Sequence, residues 1–281
     1  MSELPTQKRG CYLQENQGWE FGFISAWQSA GHKKNLIGFP VSAVIYWDLR
    51  YFFDPRSYKR KDQCDLPLPN YVGVNGEVSK NTYLDGGYPQ QDLIEVESLR
   101  YLYLSNFSFH KAKREGDILK GKTVLVAGDY LKENTYKQLS LLSSALADVE
   151  QSVRFIIKPH PAYLFNMVDF PSLRGELITG PIEEPLARSD VMYSSLETSA
   201  AIDAYCAGLA VITFLDGSTL NMSPLRGAKG VYFIKNSKDL SSAINTIEVT
   251  NLSPKGYYFY LDPGLPRWQK WLSEDFVINN K

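Results

Sequence analysis

Two series of apolar runs alternate with helix-spaced patterns along this chain. In the first, 12–14 reads as a short strand. Residues 18–30 carry Trp19, Phe23, Ala26, Trp27 and Ala30 near helical spacing, which predicts an amphipathic helix stopped at Gly31. Residues 36–39 are the next strand, halted by Pro40. Strands at 71–74 and 93–96 flank a short helix, 77–84, closed by Gly86-Gly87. The stretch 53–70 holds prolines and many charges and reads as a surface loop; 105–121, polar and basic, is the linker.

The second series opens with 123–127, a buried strand by its continuous apolar run. A helix at 136–149 follows, then a strand at 153–157 that runs directly into Lys158-Pro159-His160-Pro161. Short strands at 177–178 and 190–193 precede a helix at 198–207 closed by Gly208. Strands at 211–214 and 231–234, a helix at 239–247 and a terminal helix at 267–273 complete the pattern. Such alternation predicts parallel sheets joined by right-handed crossovers. The expected fold is α/β, with two Rossmann-like parallel-sheet units, the first short or truncated. Boundaries are expected at 1–110 and 111–266, with 267–281 as a terminal helical segment.

Composition narrows the function classes. The 281 residues, 44% hydrophobic and 22% charged, suit packed cores rather than disorder. With 30 Lys and Arg against 31 acids there is no general field for nucleic acid or anionic lipid, so an anion site must be local. Cys11, Cys64 and Cys206 are widely spaced and odd in number, neither a metal cluster nor a disulfide framework, which suits a reducing cytoplasm. The N-terminus carries no apolar signal core, and no run approaches the ~18 apolar residues of a membrane span.

Ligands of open parallel sheets bind beyond the carboxyl ends of the strands, so unusual residues there are the candidates. In Lys158-Pro159-His160-Pro161 two prolines stiffen the backbone around one imidazole, which can donate to a phosphate oxygen while Lys158 adds charge. The same loop also reads as a rigid turn with a solvent-facing histidine. Tyr193-Ser194-Ser195-Leu196-Glu197-Thr198-Ser199 lies at a strand end and opens a helix. Four hydroxyls in six residues exceed what capping requires. Asp203, on the first turns of that helix, can reach ribose hydroxyls or be a solvated surface acid. Gly128, just past the first strand of this series, joins the donor-binding set, and Cys206 reads as a small core residue.

In order, these motifs resemble the donor-binding half of GT-B-fold glycosyltransferases that use CMP-activated sugars, the bacterial sialyltransferases and Kdo transferases. His160-Pro161 and Ser194-Ser195, or Thr198-Ser199, match that group's phosphate-binding His-Pro and Ser-Ser or Ser-Thr motifs. Asp203 matches the acid that precedes the Gly-x-x-Val-Ile segment in many GT-B enzymes, here Gly208 to Ile212. The resemblance implies a nucleotide-sugar donor, a cell-surface polysaccharide product, no metal or other cofactor, and a terminal helix that returns to the first domain. A UDP-sugar or CDP-polyol donor, or a non-catalytic nucleotide- or glycan-binding module of a larger synthase, are the competing expectations.

The first half, Tyr12 to Glu20, Leu36 to Pro40 and Tyr46 to Phe52, resembles the middle of longer bacterial surface-carbohydrate biosynthesis proteins. Val41 stands where those proteins often have a histidine. The resemblance implies a fragment, or a trimmed member that needs an upstream domain. An oligosaccharide or lipid-linked glycan acceptor follows from it, with peripheral association at the inner face of the membrane. Taking a proton from an acceptor hydroxyl needs a carboxylate or histidine. Glu15, after a strand, Glu20, in the first turn of a helix, and Asp48 are the candidates. Helix-dipole placement is the plainer reading of Glu20, and pairing with Arg50 that of Asp48. The aromatic run 257–260 with Trp268 and Trp271 reads as a sugar-stacking patch or as packing across the two halves.

Overall fold

The computed structural model describes residues 5–32, 35–45, 48–54, 56, 66–107, 121–196, 198–247 and 256–273. Most of the expected linker, together with Tyr46, Trp47 and Glu197, lies outside them. Two compact units are present, Met1–Ser105 with Pro254–Lys281, and Asn106–Ser253. Both are α/β units with parallel sheets, as the alternation predicts.

The first unit runs β1 (Gly10–Gln14), α1 (Gly18–Ser29), β2 (Leu36–Pro40), β3 (Tyr71–Val74), α2 (Glu77–Asp85) and β4 (Leu93–Glu95). Its four strands pair in chain order, all parallel. The buried stripe of α1 is Glu20, Ile24 and Trp27; Trp19 is 60% exposed and Ala26 is also on the outside. The expected stripe is therefore rotated. The aromatic spacing of this segment serves two helix faces, and Trp27 decides between them because its ring lies over Gly10, where an added Cβ would sit 2.4 Å from it. The ends of the proline-rich stretch also turn inward, since Phe53 is buried against Tyr83 and Tyr88.

The second unit runs β5 (Thr123–Ala127), α3 (Lys132–Ala145), β6 (Arg154–Lys158), β7 (Glu176–Leu177), α4 (Glu183–Arg188), β8 (Val191–Ser194), α5 (Ala200–Cys206), β9 (Ala210–Phe214), β10 (Val231–Ile234) and α6 (Ser237–Thr246). Its six parallel strands lie in the order β10-β9-β8-β5-β6-β7. In unit terms this is the doubly wound order 3-2-1-4-5-6, whose topological switch point falls between β5 and β8. Val124, Val126, Phe155, Ile157, Val191, Tyr193, Ala210 and Ile212 pack with Leu139 and Leu142 of α3 and Leu240 and Ile244 of α6. Strand alternation turns Leu125, Ile156, Met192 and Val211 to the opposite face, and α4 and α5 lie against β5, β8 and β9. The chain then rejoins the first unit with α7 (Pro266–Leu272).

That return begins before α7, ahead of the expected boundary at 267. Backbone bonds from Glu77, Val78 and Ser98 to Gly256, Tyr257 and Tyr260 lay the segment along α2 and β4. Gly76 is needed at this crossing, since a Cβ there would meet the Tyr258 carbonyl oxygen at 2.0 Å. Tyr258, Phe259, Tyr260, Trp268 and Trp271 are buried within this unit, which leaves no open stacking patch among them. Phe259 stacks on Tyr101 with centroids 3.9 Å apart, and both tryptophans pack with Ile37 and Val96.

Candidate functional site

The carboxyl ends of β5 and β8 meet at the switch point. Gly128 and Asp129 follow β5, and Ser195 follows β8. Asp129 is buried; its Oδ1 accepts from the Leu131 amide at 2.8 Å, and its Oδ2 accepts from Asn134 Nδ2 and from the Ser195 hydroxyl. Thr135 Oγ1 accepts from the Asp129 amide at 2.9 Å and donates back to its carbonyl. This tight turn starts α3 at Lys132, four residues before the expected helix. Below it Gln138, fully buried, donates Nε2 to the carbonyls of Ala127 (3.0 Å) and Tyr193 (3.1 Å), which clamps β5 to β8.

The His160 loop abuts the same turn. The Gly128 amide donates to the Lys158 carbonyl at 2.9 Å, and a Cβ on Gly128 would stand 3.3 Å from the His160 amide. His160 Nδ1 accepts from the Ala162 amide at 3.1 Å, so Nε2 carries the proton of the neutral ring and is its donor. The ring of Tyr130 stands edge-on to the imidazole, with centroids 6.3 Å apart. Pro161 is exposed next to it. The two prolines therefore present one nitrogen donor in a fixed direction.

Lys158, in the same motif, points elsewhere. Its ammonium is buried and donates to the Gly180 carbonyl at 2.7 Å. Burial pushes its pKa below the ordinary lysine value of 10.5, opposed by Glu183. Folding therefore disfavours the charged form. That cost is fully present below the folded pKa and vanishes as pH rises toward the unfolded one, so stability climbs across this alkaline window. Lys158→Met should flatten the climb in urea titrations from pH 7.5 upward, and an unchanged slope would contradict it.

Ser194 ends β8 in register with Ala127 and Thr213, on one sheet face. Ser194 and Thr213 are fully buried, and their hydroxyls have no partner among the described residues. Helix α5 begins at Ala200, two residues after the expected start. Thr198 Oγ1 accepts from the Ala200 amide, whereas the exposed Ser199 at the cap makes no side-chain bond to the helix. Asp203 is buried, with 8% exposure, so it is not a solvated surface acid; Cys206 is half-buried rather than core. Beside these loops a pocket opens between Asn134 and Lys137 of α3 and Ser195, Leu196, Phe214, Asp216, Ser218 and Thr219. Across it Lys137 Nζ donates to Asp216 Oδ2 at 2.8 Å. That ammonium, with Ser218, holds the Asp216 carboxyl at about 2.

Glu15, Glu20 and Asp48 come together in the first unit. Glu20 Oε1 accepts from the amides of Glu15 (2.7 Å) and Gln17 (3.0 Å), so this buried carboxylate caps α1. Arg50 pairs with Asp48 at 2.6 Å and donates to the Glu15 carbonyl at 3.2 Å. The Glu15 side chain is exposed. Among the described residues no three His, Cys, Asp or Glu side chains gather as a metal site, and no helix is long and apolar enough to cross a membrane.

Asp129, Asn134, Thr135, Gln138, Lys137 and Asp216 were not expected from the pattern. For Asp129 a signal exists: an acid two residues beyond the first buried strand, with glycine between.

No family model matches the chain, and no curated protein matches it. Solved structures do. The UDP-GlcNAc 2-epimerase of Methanocaldococcus jannaschii superposes with a TM-score of 0.53 at 10% identity, over 85% of this chain and 70% of that one. The fold is GT-B-like. A putative UDP-N-acetylglucosamine 2-epimerase of Listeria monocytogenes (TM-score 0.51, 12% identity) matches over 79% of this chain and 61% of that one. MnaA of S. aureus, in a co-structure with UDP, gives 0.51 at 12% identity over 83% and 66%. The chain thus spans about three-fifths of the Listeria protein's length. At these identities the likeness is one of fold.

Proposed function

We propose that this chain is a nucleotide-sugar enzyme, a glycosyltransferase that holds a UDP-sugar donor on its Asn106–Ser253 unit. The observation that carries this reading is the switch-point crevice, where one turn, 128–131, packs against the backbone of the His160 loop and bonds to Ser195. Phosphate at this point would take hydrogen bonds from His160 Nε2, from the hydroxyls of Thr198 and Ser199 and from the amides of Ser195, Leu196, Thr198 and Ser199, with Asp203 toward the ribose. Side chains and backbone supply these contacts without a metal. The uridine donor is preferred because fold neighbours were crystallised with UDP or UDP-GlcNAc. The CMP-activated Kdo or other nonulosonate donor rests on the motif resemblance alone and takes second place. Glu15, exposed beside two carboxylates already engaged, is the proposed base toward an oligosaccharide or lipid-linked glycan acceptor on the cytoplasmic side. Epimerisation of a UDP-sugar is the alternative reaction that the same neighbours favour.

Calorimetry with UDP, CDP and CMP tests the donor site. UDP should bind tightest, and His160→Ala should weaken it by about ten- to a hundredfold, the worth of one charge-assisted hydrogen bond. No binding by the wild type, or equal binding by the variant, sinks the donor claim. Product analysis with UDP-glucose and UDP-GlcNAc then separates transfer, epimerisation and binding without turnover.

A further inference from the structure

We propose that Asp129 is a specificity-determining residue, whose buried negative charge biases the site toward the sugar-esterified donor and against the free nucleotide. The inference rests on the donor reading above and deepens it. Asp129 is 1% exposed. Its carboxylate accepts the hydroxyl of Ser195, one of the residues proposed to meet phosphate, so that Oγ turns only lone pairs toward a ligand. No lysine or arginine pairs with Asp129 among the described residues; its partners there are the neutral Leu131 amide, Asn134 and Ser195. The charge therefore has no cationic partner among the described residues at the carboxyl end of β5. Gly128, its neighbour, donates to the Lys158 carbonyl and lies against the His160 backbone, so Asp129 and the His160 loop adjoin at the carboxyl ends of β5 and β6.

An arrangement built only to bind phosphate would put donors at both places. One donor and one buried anion instead tell phosphates apart by charge. A phosphomonoester gains a second negative charge above about pH 6, which the diester of a nucleotide sugar cannot take. The terminal phosphate of free UDP is then repelled more strongly than the same phosphate in UDP-glucose. At protein-surface dielectric one extra unit charge at a few ångströms is worth about tenfold or more in affinity. The carboxylate would thus act most strongly on the leaving nucleotide and favour its release.

The test compares UDP and UDP-glucose affinities at pH 8 in the wild type, Asp129→Asn and Ser195→Ala, each checked for folding by circular dichroism. Asparagine keeps an acceptor for the Leu131 amide and removes the charge. Wild-type protein should bind UDP-glucose at least as tightly as UDP, and Asp129→Asn should shift the ratio toward UDP by about tenfold or more. Ser195→Ala, which leaves the Asp129 charge in place, should move both affinities in the same sense and leave the ratio near its wild-type value. A folded Asp129→Asn that weakens both ligands equally makes the residue merely structural and overturns the inference. A wild type that prefers free UDP by tenfold overturns it without any variant, as does a ratio that moves with Ser195→Ala. Binding of neither ligand by the wild type rejects the donor reading itself, an outcome distinct from a ratio that fails to move.

Discussion

Alanine at position 97 is expected to unfasten the last helix and cost the first unit about 3 kcal/mol. The Glu97 side chain has no exposed surface. Its Oε1 accepts from the Arg267 amide and Nη1, each at 3.1 Å, and its Oε2 accepts from the Trp268 amide at 3.2 Å. Two of the amides that a helix start leaves unpaired are therefore satisfied by one buried anion. Truncation strands both amides and leaves the guanidinium, 34% exposed, to Glu95 and the Tyr260 ring; because that group keeps partners and water can reach it, the loss falls at the lower end of values for broken buried pairs. Trp268 and Trp271 would lose their seat with it. Urea unfolding followed by tryptophan fluorescence checks this, and a loss under about 1 kcal/mol would show that the helix holds by its apolar face alone. Glu97→Gln, which retains an acceptor oxygen, should cost clearly less.

Gln138→Ala carries the second large effect, of about 3 kcal/mol in the Asn106–Ser253 unit. The amide joins the terminal carbonyls of β5 and β8, the two strands whose ends form the crevice. The backbone carbonyl of Gln138 accepts from the Tyr193 hydroxyl at 3.2 Å, and burial drives that phenol far above its ordinary pKa, so it remains a neutral donor. Alanine leaves two buried carbonyls short of a donor and a cavity beneath them. Loss of the clamp should also let the turn 128–131 shift relative to Ser195. Nucleotide affinity should therefore fall along with stability, although Gln138 is fully buried. Denaturation paired with UDP calorimetry reads both, and a stability loss with unchanged affinity would separate the clamp from the site.

Short-range sequence patterns located most strands to within a residue because buried parallel strands are continuous apolar runs, as in Thr123–Ala127. The Pro-flanked His160 was legible for a similar reason, since proline's restraint is local. Helix faces were less legible. Trp19 and Trp27 both suit a buried stripe, and only the neighbouring backbone at Gly10 selects one of them. The start of α3 was missed because Asp129, Asn134 and Thr135 form a turn whose cohesion includes Ser195, sixty-six positions away. Short α4 has too few residues to show a period.

The sequence by itself determined the α/β class, the two parallel-sheet series and the positions of His160 and Ser194-Ser195 at strand ends, all properties written in local hydrophobic order and backbone restraint. Tertiary structure alone decided which polar groups meet. It turned Lys158 away to Gly180, used Glu20 and Asp48 as partners of backbone and Arg50, and buried the C-terminal aromatics with β2 and β4. It also drew Asp129 to Ser195 across the switch point. Strand order is the physical reason, because it makes neighbours of β5 and β8 though two strands and two helices intervene along the chain.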